Sequence, residues 1–171
     1  VVALTEQIAQ LISVLPKSLV PTLYEALAEL ITHVNDESKG ALIAQMLVVP
    51  VEIWKEVMED LTDYTNILMP IAVFSKVIVI SDTAFYPEVE EVIARAVQLL
   101  AQLSTTDEEG AVDVRSRILE LVEAFFKFHY DSACVPQLIQ IVVNDYMEAP
   151  MNLKLPQSLD CFSQILTKLE S

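Results

Sequence analysis

One segment, residues 15–57, constrains the fold more than any other, because its first helix carries apolar residues on two flanks. A helix on a protein surface buries a single apolar stripe. A helix with two stripes must contact neighbours on both sides, or a neighbour and a ligand. One stripe recurs at steps of three and four residues and the other runs beside it: Leu19, Leu23, Leu27, Leu30 and Val34 in the first, Val20, Tyr24 and Ile31 in the second.

A polar turn at Asn35–Ser38 separates this helix from a second one that extends to about Leu61. Pro50 lies inside the second helix and lacks a backbone N–H, so we expect a kink or a break near Val49. Together the two segments predict a helical hairpin, the unit that we expect to be repeated.

The chain has 171 residues, of which 53% are hydrophobic, and only two are glycine, Gly40 and Gly110. So few glycines disfavour sheets with tight turns, phosphate-binding loops and dinucleotide fingerprints. The fold class predicted is all-α.

A fourth helix is predicted from about Ile67 to Ile80, with Thr65 or Asn66 as its cap and Pro70 in its first turn. Its apolar run is shorter than the ~20 residues that a membrane span needs. Its β-branched end at 77–80 could be a strand, but no partner strand is visible nearby.

The net charge of −15 comes from 25 acidic and 10 basic residues. Such a charge repels bare nucleic acid and anionic membranes and favours basic partners. The alternative is that the charge only keeps an unusually apolar chain in solution. Cys134 and Cys161 provide no disulfide framework, which favours a reducing compartment.

Eight helices with short connections are expected, and alternate helices are spaced by about 40 to 45 residues, the period of HEAT-type helix pairs. We therefore predict one α-α superhelix, a HEAT-repeat solenoid that spans residues 1–171. A compact up-and-down bundle is the rival architecture, but its helices would show one apolar stripe each. The four antiparallel helix pairs are predicted at roughly 1–34, 38–80, 87–128 and 131–169.

No pattern in the sequence indicates catalysis, a metal site or a bound cofactor. His33, His129, Cys134 and Cys161 do not have the separations of zinc ligands. Acidic groups at 88–91 and 107–109 are expected to be solvated, and no glycine-bearing nucleophile turn is present. We expect a protein that is not an enzyme. Four aromatic residues are predicted in the core: Trp54, Phe125, Phe126 and Phe128.

Recognition of another polypeptide is the more natural use of this scaffold. A groove lined by aliphatic side chains accepts an amphipathic peptide through anchors spaced along one helical face. The alternative is that the same residues pack against neighbouring helices. The candidate groove residues are Leu19, Leu23, Leu27, Leu30 and Ile31.

Two stretches of the sequence resemble the exportin-1 family, the nuclear export receptors of the importin-β (karyopherin) superfamily. PTLYEALAELI, followed after a polar turn by LIAQMLVVPVEIW, is similar to the middle of that family. Near the other end, Val135-Pro136, Asp145-Tyr146 and Pro156 keep the order and spacing of a later stretch. The segment from about Asn66 to Val112 resembles the family only in its helical pattern.

The resemblance implies a ring-like stack of HEAT repeats that shuttles between nucleus and cytoplasm. Such receptors bind leucine-rich export signals cooperatively with the GTP-bound small GTPase Ran, and they contact nucleoporins, without direct binding of nucleic acid or membrane. By position, the helix from Lys17 to Val34 resembles an outer helix of the export-signal groove. Leu23 and Leu27 fall at its groove positions, with Leu19, Leu30 and Ile31 beside them.

The same resemblance places the other groove wall before Val1, with the cysteine that export inhibitors modify. We therefore expect the chain to be a piece of a longer receptor that binds export signals poorly alone. Cys134 and Cys161 do not correspond to that cysteine. Other karyopherins (an importin or a tRNA exportin), a HEAT scaffold of the phosphatase-subunit kind and a stand-alone helical bundle remain alternatives, although RNA cargo would favour a basic inner strip.

Overall fold

The computed structural model describes residues 2–59, 64–80, 86–108, 110–129 and 135–169. All regular structure in these ranges is helical, which confirms the all-α prediction, and the 67–80 run is helix and not strand. No helix in the described ranges is long and apolar enough to cross a membrane. The α-helices are α1 Val2–Val14, α2 Val20–Thr32, α3 Asp36–Glu59, α4 Tyr64–Ile80, α5 Tyr86–Leu103, α6 Ala111–His129, α7 Val135–Glu148 and α8 Pro156–Leu169, and two 3₁₀ turns cover Lys17–Leu19 and Met151–Leu153.

Two prolines lie inside helices that do not end at them. Of the kink or break predicted near Val49, the break is wrong, because α3 continues through Pro50, which is buried, and the kink stays a prediction. A proline removes only one hydrogen bond of the helix ladder, and packing on both sides of it keeps the helix intact. Pro70 lies in the interior of α4, which begins at Tyr64 and not near Ile67. The predicted cap, Thr65 or Asn66, is also wrong, since α4 begins at Tyr64 and both residues lie within its first turn. The Asn66 side chain accepts a hydrogen bond from Lys17.

Contacts along the chain divide it into two compact units, Val1–Val92 and Ile93–Ser171, with the boundary inside α5. Within the first unit, α2 packs more extensively on α4 than on α3, and α1 packs on α3. Within the second unit, α6 packs more extensively on α8 than on α7. Alternate helices are thus close neighbours in each unit, whereas in an up-and-down four-helix bundle they lie across the diagonal.

Hydrogen bonds fix the relative direction of α2 and α4. Lys17 Nζ donates to Asn66 Oδ1 at 2.8 Å, and Lys76 Nζ donates to Glu25 Oε1 at 3.0 Å. The two pairs are separated by 49 and 51 residues and advance together along both segments. The two helices therefore run parallel and side by side, and α3 connects them.

The core of the first unit is centred on aromatic and branched aliphatic side chains. Trp54 of α3 and Phe74 of α4 are buried and meet edge to face, with ring centroids 6.4 Å apart. Such a pair contributes about 0.5–1.5 kcal/mol beyond its burial. The prediction that Trp54 belongs to the core is confirmed.

A buried ion pair links three segments of the second unit. Arg115 of α6 donates from Nε to Asp145 Oδ1 at 3.0 Å and from Nη2 to Oδ2 at 3.1 Å, and Asp145 belongs to α7. Nη1 of the same guanidinium donates to the carbonyl oxygen of Leu153 at 2.9 Å, which ties the second 3₁₀ turn to α6. Burial raises the pKa of Asp145, and Arg115 and the hydroxyl of Ser158 oppose that rise.

The thiol of Cys161 on α8 is buried against α6. Its Sγ donates to the carbonyl oxygen of Leu119 at 3.3 Å. Burial, with smaller contributions from Glu123 and Asp160, raises the pKa of Cys161 to about 12. A thiol with so high a pKa is inert, because the thiolate is the reactive form. Cys134 lies outside the described residues.

The three phenylalanines near the end of α6 have different surroundings. Phe125 and Phe126 are buried, as predicted, but Phe128 is 37% exposed and the prediction of a core position for it is wrong. Phe128 lies in the last turn of α6, which ends at His129. The ammonium of Lys127 lies 5.8 Å from the centroid of the Phe128 ring.

Candidate functional site

The candidate site lies on α2, whose start is set by two prolines. Pro16 has an extended backbone (φ −55°, ψ 135°), and the N–H of Leu19 bonds to its carbonyl oxygen at 2.9 Å to form the first 3₁₀ turn. Pro21 then occupies the first turn of α2, as predicted, where its missing N–H costs nothing. At the other end, the N–H of His33 bonds to the carbonyl oxygen of Leu30 at 3.2 Å.

One flank of α2 is buried in the first unit. Its members follow the helical period and are Val20, Tyr24, Ala28 and Ile31. Tyr24 is completely buried, and its hydroxyl has no hydrogen-bond partner among the described residues. Burial raises the pKa of Tyr24 well above its usual range, so the phenol stays neutral. This flank supplies the packing that holds α2 in place.

A second flank of α2 faces α4. Glu25 lies there and forms the ion pair with Lys76 of α4. The side chains of Lys76 and Glu25 are 49% and 37% exposed, so the pair is a surface salt bridge of small energetic value, at most about 1 kcal/mol. The pair is nevertheless informative about geometry, because it places α4 on the Glu25 side of α2.

The third flank carries four of the five predicted groove residues. Successive residues of an α-helix are turned by about 100°, so Leu23 lies roughly opposite Glu25 and away from α4. Leu19 and Leu30 are 50% and 65% exposed, and Leu23 and Leu27 are half-buried. Ile31, the fifth predicted residue, is 7% exposed and belongs to the buried flank. We call Leu19, Leu23, Leu27 and Leu30 the leucine strip.

The four side chains of the leucine strip lie on one face of α2, so they can contact another polypeptide while α2 keeps its conformation. Its members are spaced by four, four and three residues, which is the spacing of one helical face. Leu19 and Leu30 are exposed near the two ends of the strip, and contiguous apolar patches on protein surfaces mark interaction sites. The strip offers apolar contact and no catalytic group.

Helix α1 also exposes apolar side chains that the sequence pattern did not indicate. Leu11, which the period places on the inner face with Ile8, is 45% exposed, and Val14 is 77% exposed. With Gln7 and Gln10 they line a shallow depression of about 460 Å³. Periodicity could not reveal this exposure, because it depends on which neighbour covers the helix.

A separate pocket of about 360 Å³ lies at the end of the first unit where α1 leads into α2. Its polar rim includes the Lys17–Asn66 hydrogen bond and the carboxylate of Glu56. Its apolar lining consists of Ile12, Val20, Ile53, Val57 and Met69. None of the predicted groove residues lines this pocket, so it is distinct from the leucine strip.

The other residues considered for catalysis or metal binding do not cluster in the part of the chain that the structure describes. No cluster of three or more His, Cys, Asp or Glu side chains suited to a metal ion occurs among the described residues. His33 is exposed at the end of α2, and Glu90 and Glu91 are exposed on α5.

Comparison with models of protein families and with curated proteins finds no match to this chain.

Proposed function

We propose that this chain is a HEAT-repeat segment of a nuclear export receptor of the exportin type, and that the leucine strip forms one wall of its export-signal groove. The observation that carries the proposal is the division of α2 into three flanks. One flank is buried, Glu25 beside it pairs with Lys76 of α4 at the surface, and the third flank presents four leucines in helical register.

The packing of alternate helices supports the repeat architecture. In a stack of helical hairpins, the equivalent helices of successive hairpins lie side by side and run parallel. The α2–α4 contact has this geometry, with pairs separated by 49 and 51 residues. In the second unit, Cys161 of α8 contacts Leu119 of α6 at a separation of 42 residues. We therefore propose a solenoid of about four antiparallel helix pairs.

Energetics indicate that the leucine strip needs a second wall. Full burial of a leucine side chain yields about 1.5–3 kcal/mol, so four leucines that are already partly buried gain on the order of 3–6 kcal/mol. Association itself costs roughly 4–15 kcal/mol. A single wall therefore contributes at most about 2 kcal/mol of net binding free energy, which corresponds to an affinity weaker than millimolar. High affinity requires a neighbouring helix on the other side of the peptide.

In this proposal the protein is not an enzyme and holds no cofactor, because GTP belongs to its partner Ran. The receptor shuttles between nucleus and cytoplasm, carries proteins with leucine-rich export signals and contacts nucleoporins, without binding nucleic acid or membrane directly. Ran and cargo act reciprocally, since a coupling free energy between two sites is the same in both directions.

Retention of the complete receptor on an immobilised leucine-rich export peptide, with and without Ran-GTP, tests this function. We expect Ran-GTP to increase retention severalfold and Leu27→Asp to abolish it, while circular dichroism shows that the variant remains folded. Retention that ignores Ran would indicate a scaffold or another karyopherin. Normal retention of the Leu27→Asp receptor would show that the leucine strip is not the groove.

A further inference from the structure

The pocket where α1 leads into α2 retains apolar surface that the fold of the first unit does not cover. Four of its five apolar side chains are only half-buried: Ile12, Ile53, Val57 and Met69. Its volume of about 360 Å³ falls within the range of small-molecule sites, about 300–1,000 Å³. A water molecule in the liquid occupies about 30 Å³, so the pocket has room for roughly a dozen non-hydrogen atoms.

Two opposite charges lie at the rim of this pocket and do not neutralise each other. The Lys17 ammonium donates one hydrogen bond, to Asn66 Oδ1 at 2.8 Å. An ammonium group has three N–H donors, so two remain for a ligand. Glu56 lines the same pocket and forms no hydrogen bond or ion pair with the described part of the chain. One ligand can therefore meet a cation and an anion at this rim.

We infer that the pocket binds a zwitterion with an apolar body, namely an α-amino acid with a large apolar side chain. The carboxylate of the ligand meets the Lys17 ammonium, its α-ammonium meets the Glu56 carboxylate, and its side chain contacts the half-buried apolar lining. A fatty acid would bring its carboxylate near Glu56 without a compensating cation, and an alkylamine would bring its ammonium near Lys17. Like charges repel, so the zwitterion is the ligand that satisfies both rim groups.

Three small molecules with the same aromatic body separate the two charges. L-Phenylalanine carries both, phenethylamine lacks the carboxylate, and 3-phenylpropionate lacks the ammonium. At the modest binding free energy per atom of drug-sized ligands, the dozen non-hydrogen atoms of L-phenylalanine give roughly millimolar affinity. The site is complete within the first unit, so the 171-residue chain alone is sufficient for the measurement.

Methyl NMR of the methionines reports where each ligand binds. The chain has five methionines, and Met69 is the one that lines this pocket. A bound aromatic ring shifts the signal of a methyl group beside it, and Met69→Leu assigns that signal. Met147 and Met151, in the second unit, are 70% and 85% exposed and report non-specific contact.

Two pairs of variants test the rim charges. Glu56→Gln and Lys17→Met each remove one charge from the pocket. Glu52→Gln and Lys55→Met are the matched controls, because they change the net charge equally at exposed positions of α3 that do not line the pocket. All four side chains are exposed, so the variants should remain folded.

We expect L-phenylalanine to shift the Met69 methyl signal, and both single-charge analogues to bind more weakly. Relative to its control, Glu56→Gln should weaken binding of L-phenylalanine and phenethylamine about two- to fivefold and should not weaken 3-phenylpropionate. Lys17→Met should weaken L-phenylalanine and 3-phenylpropionate by a similar factor and should not weaken phenethylamine.

A Met69 signal that does not move in roughly 50 mM L-phenylalanine, far above the expected dissociation constant, overturns the inference. Equal affinities for the three ligands, shifts of Met147 and Met151 as large as that of Met69, or rim variants that behave like their controls overturn it as well. No residue of the leucine strip lines the pocket, so each of these results leaves the proposed function untouched.

Discussion

Arg115 and Asp145 face each other across the second unit with a closest N–O distance of 2.9 Å, and neither side chain is exposed. Removal of one partner from a buried pair leaves an uncompensated charge, which costs about 3–5 kcal/mol. We therefore expect Arg115→Met to lower the free energy of unfolding by about that amount in urea denaturation.

A matched control lies two residues along the same helix. Arg117 pairs with Glu120 at 2.6 Å, but both side chains are largely exposed. Arg117→Met should cost less than about 1 kcal/mol. The double variant Arg115→Met/Asp145→Leu should recover much of the lost stability, since it buries no charge. Equal costs for the two arginine substitutions would contradict the structural role of the buried pair.

Adjacent residues of α2 should respond differently to truncation. Leu30→Ala should change the free energy of unfolding by no more than about 0.5 kcal/mol, because the side chain is mostly solvated. Ile31→Ala removes buried methyl groups and should cost about 2–5 kcal/mol. Chemical denaturation of both variants provides the measurement. Similar losses would mean that the leucine strip is covered in solution.

The hydroxyl of Tyr24 contributes no hydrogen bond in the described structure. Tyr24→Phe should therefore leave stability unchanged or raise it slightly, since a buried unpaired polar group costs about 1–3 kcal/mol. Tyr24→Ala should cost about 3–5 kcal/mol, because it opens a cavity at the centre of the buried flank. Loss of more than about 1 kcal/mol in Tyr24→Phe would show that the hydroxyl has a partner in solution.

The thiol of Cys161 should resist alkylation. With a pKa of about 12, only about one molecule in ten thousand carries the thiolate at pH 8. In a Cys134→Ser variant, iodoacetamide should leave the native protein unmodified by mass spectrometry over hours and modify it within minutes in 8 M urea. Rapid modification of the native chain would indicate that α8 separates readily from α6.

Stability should depend on pH through Glu123. Burial, with the nearby carboxylates of Asp160 and Glu120, raises its pKa above the ordinary 4.5. The folded state then binds more protons than the unfolded state, so stability falls as pH rises from 4.5 through the folded-state pKa. Glu123→Gln should melt at a higher temperature than wild type at pH 7 and at the same temperature at pH 3. Glu90→Gln, on an exposed position of α5, should show no such difference.

The periodicity of the apolar residues predicted the helices well, because each helix buries at least one stripe of apolar side chains. The prediction failed where tertiary packing outweighed a local signal. Pro50 did not end α3, since one lost hydrogen bond is small beside the burial on both sides of it. The Arg115–Asp145 pair was invisible in the sequence, because an isolated arginine or aspartate is usually solvated and these are 30 residues apart.

The leucine strip was predictable as a set of residues but not as an exposed surface. The sequence places apolar residues on two flanks of α2 and cannot say which flank has a neighbour. The Glu25–Lys76 contact answers that question, since it places α4 on the flank opposite Leu23. The resemblance placed Ile31 beside the groove, whereas the apolar periodicity placed it in the second stripe with Val20 and Tyr24. In the structure Ile31 is buried with these two residues.

The separation of buried and exposed residues on different flanks of α2 has an evolutionary consequence. Residues that secure the helix and residues of the leucine strip occupy different flanks, so mutation can alter one set with little effect on the other. Substitutions at Leu19 or Leu30 can accumulate in a lineage while Tyr24 stays fixed. Divergent descendants of such a protein would then keep the helical fold and differ in the partners proposed for the leucine strip.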